Sequence, residues 1–450
     1  MTLAHWVLRV HAVPMVTTPP GSPRPSPSPP LWRDRDYLLW FAGDTLADFG
    51  SSLRVFAMPL IAYAATGSLT TAGLVGTAGS IMSAVMTVPG GVVVDRVDRK
   101  RLIILGDLAR AAIYGAAALA WRLGALTAPV LLAVAAASGA CAGVFGLASN
   151  AMIKHVVPPD RYPSAQAANQ ARESVLSLAS NPVGGALMSV CPAAPLLAEA
   201  AGHVLAAASV WRVRADTRPA IGPAPGVQGP GRPGPIAGAR RACAETVEGW
   251  RWLAGRPFLL FLSLVFGLIS IVGAGTYNAV VLDWSHDGLS AARIGALTMG
   301  SGAAMLAGAA GATWLSRRVR GGILLLASAA VTMVGAAGFA LVPSVPGRAL
   351  LLVPFFCVVP IMNAVGGGYV MRLIPTGMFG RVGGALLLIN LGLPAAAPWL
   401  AGRGLDAVGR AGTFWGFAAL GALTLALMLA SRRLRTLGLP SQWDAADAAP

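Results

Sequence analysis

Several charged residues stand inside long apolar stretches, where a charge is costly. Asp44 and Asp48 lie four residues apart in the stretch 37–64, on one helical face, and Arg54 follows in the same stretch. Asp107 and Arg110 are spaced i, i+3 in the stretch 102–121, placed to pair with each other. Arg172 and Glu173 open the stretch 165–189. Glu199 precedes His203 by four residues, close to the outer boundary of 194–211 and within reach of water. A charge at mid-bilayer costs at least ~2.5–3.5 kcal/mol on insertion scales, so such groups are functional or paired. Burial favours the neutral form of a carboxyl group, which can then take a proton from one side of a membrane and release it on meeting a cation. Asp48 lies deepest in its stretch and is expected to line a cavity, either as a proton site or as the charge partner of Arg54 or Arg172. Tyr277, Asn278 and Asn363 could hydrogen-bond a substrate or neighbouring backbone.

Other chemistries lack their residues. Asp44-x-x-x-Asp48 has none of the upstream Asp-Gly-x-x-Ala-Arg of lipid head-group transferases. His-Glu-x-x-His is missing, and the five histidines are His5, His11, His155, His203 and His286. Four cysteines without a CxxC pair give neither a zinc site nor a disulfide framework. A nucleotide-driven pump would need a Walker loop, which the chain lacks. The reading is therefore a non-enzyme with no metal and no cofactor, driven if at all by an ion gradient.

The elements that must hold these residues are membrane helices. The chain of 450 residues is 55% hydrophobic with a mean hydropathy of +0.66. Only 12% of its residues are charged, against about 25% in soluble domains. A spanning helix needs roughly 20 apolar residues. Twelve such segments are expected: about 37–64, 71–94, 102–121, 127–150, 165–189, 194–211, 258–283, 291–316, 321–342, 349–372, 381–402 and 411–431. With both termini on the cytoplasmic side, 26 of the 34 Lys and Arg residues fall in inside loops and tails and five in outside loops. That bias sets the orientation and accounts for the net charge of +16 without nucleic acid, as well as for contact with anionic lipid.

Composition divides the chain further. Eight prolines in 14–30 predict a disordered leader over 1–36, with Met15 as an alternative start. Six prolines and five glycines in 219–235 predict a flexible linker. The expected plan is a six-helix bundle at 37–211, a cytoplasmic linker with an amphipathic segment at 212–257, a second bundle at 258–431 and a tail at 432–450. Gly91-Val-Val-Val-Asp95-Arg96 has a worn counterpart at Gly311–Arg318, and Val157-Pro158 matches Ile374-Pro375, as in a parallel duplication.

The loop Gly91-x-x-x-Asp95-Arg96-x-x-Arg99-Lys100 resembles the signature loop of the major facilitator superfamily, although Asp98 stands where that loop usually has Gly. Ala47-Asp48-Phe49-Gly50, Gly106-Asp107-Leu108-Ala109-Arg110, Val157-Pro158-Pro159-Asp160-Arg161 and Val247-Glu248-Gly249-Trp250-Arg251 are similar to the export branch containing macrolide and siderophore (enterobactin-type) exporters. The resemblance implies an all-α fold of twelve transmembrane helices in two pseudo-symmetric six-helix bundles. It also implies alternating access and a conformational latch in which Asp95 faces the start of helix 11, at Gly380 and Arg381, while Arg96, Arg99 and Lys100 join a charge network.

Proton-driven exporters of the superfamily often carry Gly-Pro-x-x-Gly-Gly in helix 5. Here the stretch is Asn181-Pro182-Val183-Gly184-Gly185-Ala186, a partial match in which Pro182 is expected to kink the helix beside Gly184 and Gly185. The expected function is export of small amphipathic molecules, drugs or natural products, by proton antiport. The alternatives are uptake on the same fold, or a non-transporting receptor or assembly protein. A monomer is the superfamily's usual state, and richness in Arg and Ala suggests the cytoplasmic membrane of a high-GC bacterium.

Overall fold

The computed structural model describes residues 31–94, 96–217, 244, 247–374, 378–439 and 443. Residues 1–30 of the expected leader, Asp95 and the linker at 219–235 lie outside the described residues, whereas 31–36 of that leader are ordered: Leu31–Arg33 forms a helical turn with Leu31 buried, and Asp34 caps the helix that follows. With no water to satisfy backbone groups, a chain crossing lipid must bond them within each segment, and helices do so. Nine stretches among the described residues are long and apolar enough to cross a membrane. One of them, Val382–Ala430, is interrupted at Gly409, whose φ of 70° only glycine adopts without strain, and forms two crossings. The helices carrying the buried charges, at 35–66 and 162–190, complete the twelve.

In chain order these are α1 (Arg35–Thr66), α2 (Leu69–Val94), α3 (Arg99–Arg122), α4 (Ala128–Val156), α5 (Tyr162–Val190) and α6 (Ala194–Trp211). Then follow α7 (Pro257–His286), α8 (Ala291–Arg318), α9 (Gly321–Leu341) and α10 (Val345–Leu373). Helix α11 starts as Phe379–Gly392, passes through a tight turn at Pro394–Ala396 and runs to 408, and α12 covers 410–430. The eleventh crossing thus ends later than its apolar composition suggests, because Arg403 and Asp406 ride on its last turns. Helix α10 contains a π-helical turn, Asn363–Gly367, where Gly366 lets the ring of Phe266 from α7 lie against the backbone.

Each bundle repeats one packing plan. Within the first, α2 packs on α4, α1 on α6 and α3 on α6; within the second, α8 packs on α10, α7 on α12 and α9 on α12. Between bundles, α5 meets α8 and α2 meets α11, which are equivalent pairs under the pseudo-symmetry. Small residues make these crossings close. A Cβ at Gly185 would strike the Ala291 carbonyl, and one at Gly73 the Pro398 carbonyl.

The inter-bundle contacts gather on the side away from the chain termini. There Thr70 donates to Asp406 from its backbone N (2.7 Å) and its hydroxyl (2.5 Å), and Trp399 N donates to Thr77 Oγ1 (3.1 Å). Tyr63 and His286 share a hydrogen bond of 2.9 Å, and Asn181 Nδ2 donates to Tyr277 OH at 2.9 Å. Toward the termini side, Gly311 and Gly383 have no atom within 4 Å of where a Cβ would stand. Among the described residues, the hydrogen bonds between the two halves lie on the face away from the termini, which they seal.

The expected tail at 432–450 includes described residues that pack closely. Leu434, Leu437 and Trp443 are buried, Gly321 N donates to Gly438 O, and Trp443 stacks edge-on against Tyr369. At the opposite end, Arg348, which composition places in an outside loop, is 1% exposed and ion-paired with Asp283 and Asp287 of the α7 end. Removing one partner of a buried ion pair costs about 3–5 kcal/mol. Arg348→Met is therefore expected to lower the thermal midpoint of the full chain in detergent clearly, and the double variant Arg348→Met/Asp283→Leu to recover most of that loss.

Candidate functional site

A cavity of 450 Å³ lies between the bundles, lined by α1, α2, α4, α7 and α11. Its walls are mostly apolar or small, with Val55, Met58, Val75 and Leu391 among them. Ser80, Ser83, Ser138, Asn278 and Asn390 supply scattered hydrogen-bonding groups, and among the described residues Arg54 is the one charged residue on the wall. Asn278 is partly committed, donating to Ala274 O at 2.8 Å, whereas Asn363 sits exposed in the π-helical turn. Tyr277 binds Asn181 rather than lining this space.

Helix α1 supplies the charges because its positions 44, 48 and 54 turn into the first bundle. Arg172 of α5 reaches back to both aspartates, with its Nη2 2.6 Å from Asp44 and 2.8 Å from Asp48. Its guanidinium lies 5.3 Å from the ring centre of Phe41. Ser149 of α4 donates to Asp44 and accepts from Trp40 Nε1 at 3.1 Å. Asp48 is 47% exposed at its side chain, whereas Arg172 is buried. Two carboxylates thus share one guanidinium, leaving the cluster one positive charge short. A second, smaller cavity of 80 Å³ touches Asp44, Asp48, Asp107 and Arg110.

Arg54 has a different partner. Its Nε donates to Glu199 of α6 at 3.1 Å, and its guanidinium stands 5.8 Å from the ring centre of Tyr114. Glu199 is 1% exposed, so its place near a helix end does not keep it wet. Its Oε1 lies 3.8 Å from His203 Nε2, and His203 Nδ1 lies 2.9 Å from Asp107. The close approach of α6 to α1 depends on Gly50, where a Cβ would press on the Glu199 backbone at 2.9 Å.

These contacts revise several sequence expectations. Asp107 turns to His203 instead of Arg110, because α6 crosses α3 at that turn. Arg110 makes no hydrogen bond or ion pair among the described residues and faces the small cavity. Of the two partners expected for Asp48, Arg172 is the one it meets, and Arg54 pairs with Glu199. Arg172 and Glu173 part company: successive helical positions point to different faces, so Glu173 stays exposed, with Gln170 Nε2 3.5 Å away.

The signature loop is bound within its own bundle. Asp98 caps α3 by accepting from Lys100 N (3.0 Å) and receives the Thr217 hydroxyl. Arg99 donates to Thr217 O at 3.3 Å, Lys100 Nζ to Val213 O at 2.7 Å, and Gly91 and Arg96 are half-buried. Asp95, the proposed centre of the latch, lies outside the described residues. In α5, Pro182 sits inside a continuous helix at the bundle interface, Gly184 faces Phe56 and Gly185 faces Ala291 of α8.

Sequence reasoning missed the Arg348–Asp283–Asp287 triad and the joining of Glu199, His203 and Asp107. The i, i+4 spacing of Glu199 and His203 was the available signal for the second.

A twelve-helix, two-bundle architecture with a cavity lined by both bundles defines a membrane carrier. The profile described as the Major Facilitator Superfamily matches residues 41–393, and the chain belongs to that superfamily of transporters. No curated protein sequence matches it. Among solved structures, a bacterial homologue of the iron transporter ferroportin in an inward-facing state is 15% identical, with a TM-score of 0.68 over 91% of this chain and 100% of that one. The nucleoside transporter NupG is 12% identical, with a TM-score of 0.66 over 90% and 99%. A D-xylose-proton symporter is 14% identical, with a TM-score of 0.62 over 87% and 96%. At these identities the likeness is one of fold.

Two predictions test the site's construction. Arg172→Gln leaves Asp44 and Asp48 facing each other unpaired and is expected to cost about 3–5 kcal/mol, read as a lowered unfolding midpoint that Asp44→Asn in the same chain partly restores. Asp98→Gly removes the α3 cap, worth about 1 kcal/mol, and frees Thr217; trypsin is then expected to cut at Arg214 faster than in wild type.

Proposed function

We propose that this chain exports small amphipathic organic molecules by alternating access, exchanging them for protons. The observation that carries this reading is the cavity between the bundles: 450 Å³, mostly apolar, with one cation on its wall. Ligand sites for drug-sized molecules have about this size and this mixture of apolar wall and few polar groups. A sugar site would need a denser set of hydrogen-bonding side chains.

The bias of Lys and Arg toward the loops on the termini side supports a cytoplasmic location for both termini in a plasma membrane. In that orientation the sealed face is the outer one, which favours access to the cavity from the cytoplasm, the loading side of an exporter. The opposite state would close the cytoplasmic face through Asp95, Arg96 and Arg99 at the positive start of α11. Proton coupling is supported by the shared guanidinium: Asp44, Asp48 and Arg172 together lack one positive charge, and half-exposed Asp48 is the group placed to accept a proton. The export-type likeness of the sequence stretches around Asp48 and Asp107 favours the same direction.

Everted vesicles carrying the protein, acidic inside and reported by a pH-sensitive dye, test the reading with a panel of lipophilic cations, macrolides and siderophores. The expected result is substrate-triggered proton release in wild type, abolished in Asp48→Asn. Substrate movement without proton movement overturns antiport. Failure of every compound to move sinks export of this substrate class and leaves uptake or a receptor role.

A further inference from the structure

Two cavities lie in and beside the first bundle, and no single residue lines both. Arg54 lines the large one, Asp107 lines the small one, and between them stand Glu199 and His203, which line neither. Glu199 is 1% and His203 0% exposed. The side chains nevertheless form an unbroken series: Arg54 to Glu199 at 3.1 Å, Glu199 to His203 at 3.8 Å, His203 to Asp107 at 2.9 Å. Only the middle step exceeds hydrogen-bond length. His203 Nε2, on one side of that step, and the second Glu199 oxygen, Oε2, are also among the buried polar atoms without a hydrogen-bond partner. Buried polar atoms are rarely left so, and a proton on either residue would supply the missing donor.

We propose that Asp107, His203 and Glu199 form a proton path from the small cavity to Arg54, and that protonation of Glu199 releases Arg54 into the substrate cavity. This rests on the proton-coupled export reading above and adds to it the residues that make proton and substrate exclude each other. A proton arriving on Asp107 passes to His203 Nδ1. The ring, carrying its own hydrogen on Nε2 at that moment, releases it to Glu199. One N–H bond forms and one breaks, the imidazole begins and ends neutral, and one proton has advanced. Glu199 as a neutral acid no longer holds the guanidinium by charge. Arg54 then turns into the cavity it already borders, where it takes up space and repels a lipophilic cation.

The groups facing the path agree with this role. Helix α1 brings Arg54, and α3 brings Asp107, Arg110 and Tyr114. The two charged residues of α5 are engaged elsewhere, Arg172 with Asp44 and Asp48, Glu173 with Gln170. Arg110 makes no ion pair among the described residues and stands where Asp107 meets the small cavity, so an incoming proton displaces no existing bridge.

The test uses the full chain in lipid nanodiscs. Infrared difference spectra on acidification are expected to show, besides the band of Asp48 that Asp48→Asn removes, a carboxylic-acid band in wild type that disappears in Glu199→Gln. Binding of tetraphenylphosphonium is expected to weaken by about tenfold per pH unit where one proton competes, and this dependence is lost in Glu199→Gln. His203→Asn keeps that equilibrium dependence but slows substrate-triggered proton release by about a hundredfold, the scale of a positioned proton carrier.

A spectrum and slope unchanged from wild type in Glu199→Gln overturn the path while leaving proton coupling in place. Wild-type binding that ignores pH removes the coupled reading itself. If tetraphenylphosphonium does not bind, the infrared band alone decides: its loss in Glu199→Gln supports the proton site, and its persistence overturns it.

Discussion

The first bundle is organised by the need to match every charge that enters the membrane. Helix α1 carries Asp44, Asp48 and Arg54 within three turns, and no residue on α1 itself neutralises them. Each must find its countercharge on another helix: Arg172 on α5 for the aspartates and Glu199 on α6 for Arg54. The penalty for an unmatched buried charge is several kcal/mol, so these pairings fix the rotation of α1 against both neighbours. Ser149 on α4 adds a third anchor through Asp44. The apolar residues of the bundle then fill the space that the charges define. Among the described residues, the second bundle has a single counterpart, Arg348 with Asp283 and Asp287, at one end only. Ionic matching is concentrated in the half that also holds the small polar cavity.

Much of this was legible in the sequence, and the exceptions have physical causes. Segment length and hydropathy locate the crossings because the bilayer sets both. The spacing of Asp44 and Asp48 indicates one shared face because four residues make about one helical turn. Partners across helices were not legible, since crossing geometry decides them: Asp107 has Arg110 one turn away, yet α6 brings His203 closer. Glu199 and Arg348 misled for one reason. Both lie near the end of an apolar run, where a sequence cannot tell a wet boundary from a buried ion pair. The end of α11 misled in the opposite sense, because Arg403 and Asp406 look like loop residues. Asp406 is a helix residue whose carboxylate accepts from Thr70 of α2.

Asp98 illustrates how a departure from a family pattern finds its use locally. A glycine at that point would leave the start of α3 without a side-chain cap. The aspartate caps α3 and binds Thr217, the last described residue before the linker. Together with Lys100 on Val213 O, it ties the chain's exit from the first bundle to the loop between α2 and α3. The linker therefore leaves from a fixed point, next to the signature loop.

The two kinds of interface in this protein have opposite properties, and the carrier needs both. Every ion pair among the described residues stays inside one bundle. Between bundles, among the described residues, the contacts are glycines against carbonyls and hydrogen bonds to hydroxyl, phenol, imidazole or amide groups, with Asp406 accepting from Thr70 as the one carboxylate that takes part. Separating a buried ion pair would strand charges in a medium of low polarity, whereas separating small residues loses mainly dispersion contacts that lipid or a second packing can replace. Rocking motions should follow the second kind of interface and leave the first intact. On that argument the charge clusters move as rigid parts of the first bundle, and the sealed face can open without breaking an ion pair. Any coupling between proton and substrate must then act through groups that border the cavity while belonging to a cluster, a description that fits Arg54.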